Sequence, residues 1–205
     1  MEEKPLVQQI EETLNKVYNS HAAIDEYTEM FTRSLFDALE KFVNALVEIE
    51  MLGIGKPRRL ALPTGKQALQ LELVDYKVIF VPLVGAAWPN ARDEARVPGA
   101  KFKEECGRIA VFLGEDPNAT AFYDFLIWGD GSWFAWGYGW PKQADEYATT
   151  DFDHLAADLV FSFLKDIHRT WRTRAETTLA NSTDPNPARR AMVFGLPGEA
   201  GKTTV

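Results

Sequence analysis

Residues 122–138 read FYDFLIWGDGSWFAWGY, with apolar runs of alternating character on both sides of a central GDGS. An Asp-Gly pair between two such runs is a strong hairpin signal, because both central positions of the turn tolerate positive φ. With Asp130 and Gly131 as a two-residue turn, Ile127 faces Phe134 across the hairpin, and the other pairs follow by steps of one. The stretch therefore predicts two antiparallel strands with a defined register.

In this register the hairpin has two unequal faces: one carries most of the aromatic rings, and the other tapers to small residues. A floor of small residues between rings forms an apolar concavity, which suits a ligand or a peptide. The same floor suits close packing of a helix on the sheet, and the sequence leaves both interpretations open. The candidate ligand or partner face consists of Phe122, Asp124, Trp128, Trp133, Gly137 and Gly139.

Short β-like segments precede the hairpin and predict a mostly antiparallel meander of five or six strands over residues 58–140. Residues 67–74 alternate leucine with polar side chains, so we expect one buried and one solvated face there. Residues 77–84 are nearly all apolar, which is typical of a more central strand.

The N-terminal region, residues 5–52, contains no glycine and no internal proline, and it predicts a long helix. Apolar or small residues recur three and four apart through it in a heptad-like pattern, with His21 and Thr28 in two of the core slots. A continuous helix would be ~70 Å long. Since that exceeds the span of one domain of this size, one end should project, or the helix should break near residues 19–21. A projecting first half predicts pairing with another chain.

Residues 150–176 predict a second long helix, packed on one face of the sheet. Thr150 is a suitable N-cap, and the apolar residues that follow form a broad face. After residue 180 the composition changes to Asn, Ser, Pro and Gly, which predicts a flexible, disordered tail at residues 181–205. The predicted fold class is therefore α+β, with a single domain over residues 1–180.

Composition excludes several classes of protein. The net charge of −8 disfavours a nucleic-acid binder, because phosphate neutralisation needs clustered Lys and Arg. Cys106 is the only cysteine, which rules out a disulfide within the chain and fits a reducing compartment. No apolar run reaches the ~20 residues of a membrane span, and the acidic N-terminus is unlike a signal peptide. We therefore expect a cytoplasmic protein without a membrane segment.

Signals for chemistry are weak. Residues 195–204, GLPGEAGKTT, approach the pattern of a phosphate-binding loop, but five residues separate its outer glycines where the pattern has four. His154 and Asp158 lie one helical turn apart, at a spacing that suits a metal, without a second His or Cys nearby. Cys106 has no base that the sequence places beside it. We predict no catalytic residue, no metal site and no cofactor.

Three functional hypotheses remain. The first is a non-catalytic interaction or adaptor domain that forms a homodimer through residues 6–35 and contacts another protein. The second is a small-molecule-binding domain, or an enzyme of unrecognised type, that uses the hairpin face. The third is a regulator that docks an anionic partner through a basic patch. This patch consists of Lys56, Arg58, Arg59 and Lys66.

Overall fold

A computed structural model describes residues 5–74, 76–86, 101, 104–114, 121–137 and 143–165. The chain divides into two units, Met1–Val160 and Phe161–Val205. Helix α1 spans Leu6–Glu48. The strands are β1 (Arg58–Ala61), β2 (Gln67–Leu73), β3 (Tyr76–Pro82), β4 (Gly107–Leu113), β5 (Tyr123–Ile127), β6 (Ser132–Gly137) and β7 (Gln143–Glu146). A 3-10 turn at Tyr147–Thr149 leads into helix α2, described over residues 152–165.

The seven strands form one antiparallel sheet in the order β1-β2-β3-β4-β5-β6-β7. The α+β class and the antiparallel meander are confirmed, but the predicted count of five or six strands is wrong. The additional strand is β7, which has the sequence QADE and is largely exposed. Backbone pairing with β6, and not the burial of side chains, holds β7 in the sheet. Its sequence therefore has no apolar periodicity from which a strand could be predicted.

The predicted hairpin exists, but its predicted register is wrong by one residue. Ile127 pairs with Trp133, and Phe125 pairs with Ala135. The loop contains three residues rather than two, because Trp128 N–H donates to the Ser132 carbonyl at 2.9 Å, and the last loop residue, Gly131, has φ +84°. Three-residue loops of this kind end in a glycine at positive φ. A slip of one residue transfers every side chain of one strand to the opposite face.

Helix α1 is continuous through residues 19–21, where the sequence offered a break. Its length of 43 residues corresponds to ~65 Å. Side chains of residues 5–20 are exposed, and Ile24 is the first buried residue of the helix. The projecting end predicted from the sequence is therefore the N-terminal one.

The core lies between α1 and one face of the sheet, which we call the helix face. Phe31 on α1 contacts Phe125 on β5 and Trp133 on β6, with ring centroids 5.7 and 5.3 Å apart. Further along α1, Phe36 contacts Phe80 on β3 at 6.3 Å. Strand residues of the helix face are buried from β2 to β5: Leu69, Leu71, Leu73, Val78, Phe80, Ile109, Val111, Tyr123, Phe125 and Ile127.

The opposite face of the sheet carries a smaller apolar cluster. Cys106, Leu126, Trp128 and Phe134 form a buried cluster there, with the half-buried Trp136 packed against it. On β2, Gln70 is only 8% exposed. The solvated face expected for residues 67–74 is therefore wrong, because both sides of this strand lie in the interior.

Helix α2 begins beside the core. Asp151, rather than the predicted Thr150, caps it by accepting a hydrogen bond from the backbone N–H of His154 at 3.0 Å. Thr150 instead accepts a hydrogen bond from the indole N–H of Trp133 at 2.7 Å. The ring of Phe152 contacts Phe31 at 5.2 Å. Residues 166–176 of the predicted helix and the predicted tail at 181–205 lie outside the described residues. Residues 161–165, described in the second unit, are helical.

Candidate functional site

The exposed end of α1 carries a row of apolar side chains, which we call the α1 stripe. It consists of Val7, Ile10, Leu14, Val17 and His21. These residues occupy successive core positions of a heptad pattern, three and four apart. Its four apolar members are all exposed, with Leu14 at 64%. Leu6 and Tyr18 are also exposed and widen the stripe. A contiguous apolar row of this kind on a helix is typical of a surface that another element covers.

The α1 stripe continues the same line of residues that packs on the sheet. The next positions in the pattern, Ile24, Thr28, Phe31 and Leu35, are all buried. One periodic row thus has two environments: its second half meets the sheet, and its first half extends past the sheet edge. The sequence pattern is uniform, so only the position of the sheet decides where burial begins.

A groove of about 580 Å³ lies where the exposed stripe meets the body of the protein. One wall is α1, and the other is formed by residues 104–105 and the hairpin loop at residues 129–130. His21 lies within hydrogen-bond distance of Glu105, with Nε2 and Oε2 2.7 Å apart. The stripe residues Val17 and His21 line the groove beside Ile24. The α1 wall of the groove therefore combines apolar side chains with Ser20 and His21, and the opposite wall is mainly acidic.

The polar wall of the groove is acidic. Lys101 pairs with Asp130 and with Glu104, the latter at 3.3 Å, and its ammonium lies 5.7 Å from the ring centroid of Trp128. Burial disfavours the charged form of Lys101, but the hydrogen bonds to Asp130 and Glu104 and the charges of these carboxylates together outweigh it and raise the pKa of the lysine. Glu105, which lies within hydrogen-bond distance of His21, adds a third carboxylate to the described residues of this wall.

Asp130 is held in its charged form. Burial raises its pKa, but hydrogen bonds from Lys101 and Ser132 outweigh that effect and lower the pKa from 3.8 to about 2. Ser132 donates both its backbone N–H, at 3.0 Å, and its hydroxyl, at 2.7 Å, to one oxygen of Asp130. The same carboxylate thus orders the hairpin loop and one wall of the groove.

Asp130→Asn is expected to lower stability near pH 6 by less than about 1 kcal/mol, because 57% of the Asp130 side chain is exposed and solvent screens its ion pair. Since the folded-state pKa lies below the ordinary value, the stabilisation is present above about pH 4 and declines as the pH falls toward 2. Urea unfolding at pH 6, 4 and 3 should show the two stability curves converging. Asp25→Asn, on the exposed side of α1, is the control, and a gap that widens on acidification would contradict the assignment.

The structure separates the residues of the predicted hairpin face. Trp133 and Gly137 lie on the helix face, opposite Ile127 and Tyr123 in the strand pairing. Asp124 and Trp128 lie on the other side of the sheet. There Asp124 accepts two hydrogen bonds from Arg108, at 2.7 and 2.9 Å. Phe122 is half-buried next to β5, and Gly139 lies outside the described residues.

The predicted basic patch is also divided. Adjacent strand residues point to opposite faces, so Arg58 and Arg59 on β1 diverge. Arg59 binds Glu40 at 2.7 and 2.8 Å and Asp37 at 2.5 Å; these carboxylates, Glu40 foremost, outweigh the effect of burial and raise its pKa. Lys66 donates to a backbone carbonyl at 3.1 Å, whereas Lys56 and Arg58 are exposed.

The cysteine and histidine side chains described outside the groove do not form a common site. Cys106 is buried and unbridged, and His154 lies 3.4 Å from Asp158 on an exposed helix face. Across the described residues, no three His, Cys, Asp or Glu side chains are grouped to hold a metal ion. Residues 195–204 lie outside the described part of the chain. None of the helices in the described part is both long and apolar enough to cross a membrane.

Comparison with protein-family models, with curated proteins and with solved structures finds no match to this chain. The groove was not predicted from the sequence, since its walls come from residues more than 80 positions apart. His21 was the available signal, because it is a polar residue in a heptad core position.

Proposed function

We propose that this chain is a non-catalytic protein-interaction domain that self-associates through the α1 stripe. The observation that carries the proposal is the exposure of Val7, Ile10, Leu14 and Val17 at heptad spacing on a helix whose later residues are buried. Complete burial of one such side chain contributes roughly 1.5–3 kcal/mol. Four of them from each of two chains provide a sufficient driving force for association, even after the entropic cost of binding is subtracted.

The α1 stripe is held in a helix before any partner arrives. An isolated segment of 15 residues would be only marginally helical in water. Here residues 6–20 continue a helix that the core anchors from Ile24 onward. Because this segment is already ordered by its attachment to the body, association has little conformational entropy to overcome.

The flanks of the stripe also favour self-association. Among its immediate neighbours Leu6, Glu11, Thr13, Tyr18 and Ser20, only Glu11 is charged. Charged and amide side chains such as Glu12, Lys16, Gln8 and Asn15 occupy the far side of the helix. Two copies can therefore bring their stripes together without a row of like charges along the seam.

Leu14→Glu is expected to weaken self-association at least about 100-fold, because it would bury a carboxylate in an apolar seam. Asn15→Glu adds the same charge on the far side of the helix and should leave the mass unchanged. Sedimentation equilibrium of the full chain measures both effects. The wild type should have twice its chain mass of 23.1 kDa at micromolar concentrations. A wild-type chain that remains monomeric up to about 100 µM would overturn the proposal.

The other two hypotheses receive less support from these contacts. A ligand site on the hairpin would need Trp128 and Trp133 on one surface, but they lie on opposite sides of the sheet. An anionic partner would compete with two carboxylates for Arg59. The α1 stripe needs no rearrangement to become accessible.

A further inference from the structure

The α1 stripe ends at the groove, and this junction restricts how two copies can meet. From Ile24 onward, the side of α1 that carries the stripe is covered by its own sheet, as the contact between Phe31 and Phe125 shows. A partner helix lying on the stripe thus reaches the sheet edge near His21. The direction of the partner helix determines whether that helix ends at the sheet edge or has to continue past it.

We propose that the second copy binds antiparallel, with the first turn of its α1 seated in the groove between α1 and the hairpin loop. This inference rests on the proposed self-association. In this arrangement Val7 lies opposite Ile24 of the other copy, Ile10 opposite His21, and Leu14 opposite Val17. Each pair places one core position of the heptad against another, and the arrangement repeats by two-fold symmetry.

A parallel pair would encounter a steric conflict. Both bodies would then begin at the same level, and each sheet would lie on the stripe side of its own helix, which is the side that faces the partner. The two sheets would claim the same space beyond His21. In the antiparallel pair each helix begins where the sheet of the other copy starts. The groove provides the space for that helix end.

Charge at the groove favours the same direction. Among the described residues, the first turn of α1 contains no acidic side chain, so none of them places a carboxylate at the positive end of the helix dipole. Among the described residues, the wall that this end would approach carries Glu104, Glu105 and Asp130, of which Glu104 and Asp130 pair with Lys101. A parallel pair would instead place two positive helix ends side by side.

The apolar part of the groove matches the apolar side chains of that first turn. Val17, Ala23 and Ile24 line the α1 side of the groove, together with the polar Ser20 and His21. Leu6 and Val7, at the start of the helix, are 71% and 77% exposed. In the antiparallel pair Leu6 and Val7 leave water beside Ala23 and the edge of the nearly buried Ile24, while Val17 meets Leu14 of the other copy.

Disulfide cross-linking of the full-length chain tests the direction. Residues 10 and 21 are ~16 Å apart along one helix, too far for a bond within one chain or between identical positions of an antiparallel pair. The double variant Ile10→Cys/His21→Cys should therefore become a covalent dimer under mild oxidation, whereas each single variant should remain uncross-linked. Adding Leu14→Glu to the double variant should abolish the product. Wild type, with only the buried Cys106, is the blank.

The outcomes separate the two proposals. Efficient cross-linking of Ile10→Cys alone would establish a parallel pair, which overturns the inference but leaves self-association intact. A dimeric wild type in which neither single nor double variants cross-link would also overturn the inference, since another register or surface would then be in use. A monomeric wild type by sedimentation would overturn both, and an intramolecular occupant of the stripe would then be the explanation to pursue.

Discussion

Phe31→Ala is expected to lower the free energy of unfolding by about 3–5 kcal/mol. Phe31 is fully buried, and its ring lies 5.2–5.7 Å from the rings of Phe125, Trp133 and Phe152. Truncation would leave a cavity where α1, the hairpin and the start of α2 meet. Such a loss is a large fraction of the 5–15 kcal/mol that stabilises a typical protein.

The matched control for Phe31→Ala is Leu14→Ala, which removes a large apolar side chain from the exposed half of the same helix. Because Leu14 is 64% exposed, its truncation should change the stability of the monomer by less than about 0.5 kcal/mol. Urea unfolding should be measured at a chain concentration low enough to keep the protein monomeric, since association would add to apparent stability. Similar losses for the two variants would contradict the division of α1 into a buried and an exposed half.

Gly107→Ala is expected to destabilise the fold by about 3 kcal/mol, near the upper end for overpacking in a core. A Cβ at residue 107 would lie 1.8 Å from Oγ1 and 3.0 Å from Cβ of Thr28 on α1. Thr28 cannot turn away freely, because it is 2% exposed and its hydroxyl donates to the Ile24 carbonyl at 2.6 Å. The helix would have to move away from β4 near the start of the buried half of α1.

A double-mutant cycle checks that cause for the Gly107→Ala effect. Thr28→Ala removes Oγ1, so the combination with Gly107→Ala should be less destabilised than the sum of the single changes by about 1–3 kcal/mol. Gly129→Ala is the control, because its Cβ would come no closer than 3.3 Å, to the Cβ of Ala23. Additive effects in the cycle, or a Gly107→Ala protein as stable as wild type, would show that the close approach of α1 to β4 does not limit the packing.

These two changes and Leu14→Glu probe different properties of one helix. Phe31 and Gly107 control how its buried half rests on the sheet. Leu14 lies in the half proposed for association and should leave the monomer folded. A variant that loses association but keeps its unfolding midpoint would thus attribute the proposed function to the α1 stripe and not to general damage of the fold.

Predictions from the sequence succeeded where the signal was local. Helix α1 followed from 47 residues without glycine or proline and from their heptad pattern, and both properties belong to neighbouring positions. The hairpin followed from its Asp-Gly signal. The seventh strand could not be predicted, because β7 is a short polar edge strand that is held by backbone pairing to β6.

The composition of the hairpin was readable from the sequence, but its faces were not. Asp130 and Gly131 can form a two-residue turn, or they can close a three-residue loop with Gly129. The choice shifts the pairing of the two strands by one residue and so exchanges the faces of a whole strand. Sequence preference does not separate these two turns, since both place glycine at positive φ. The paired strands and the fit of Trp133 against Phe31 select the observed register.

The sequence by itself determined a long amphipathic helix, an antiparallel meander and a ring-rich hairpin, because periodicity and turn chemistry act over a few residues. Only the tertiary structure decided that the sheet covers α1 from Ile24 onward and that the first half of α1 stays exposed. It also decided that a groove forms beside His21 and Glu105. The physical reason is that the heptad row is uniform along α1. Burial depends on where residues far along the chain, such as Gly107 beside Thr28 and Phe125 beside Phe31, come to lie against it.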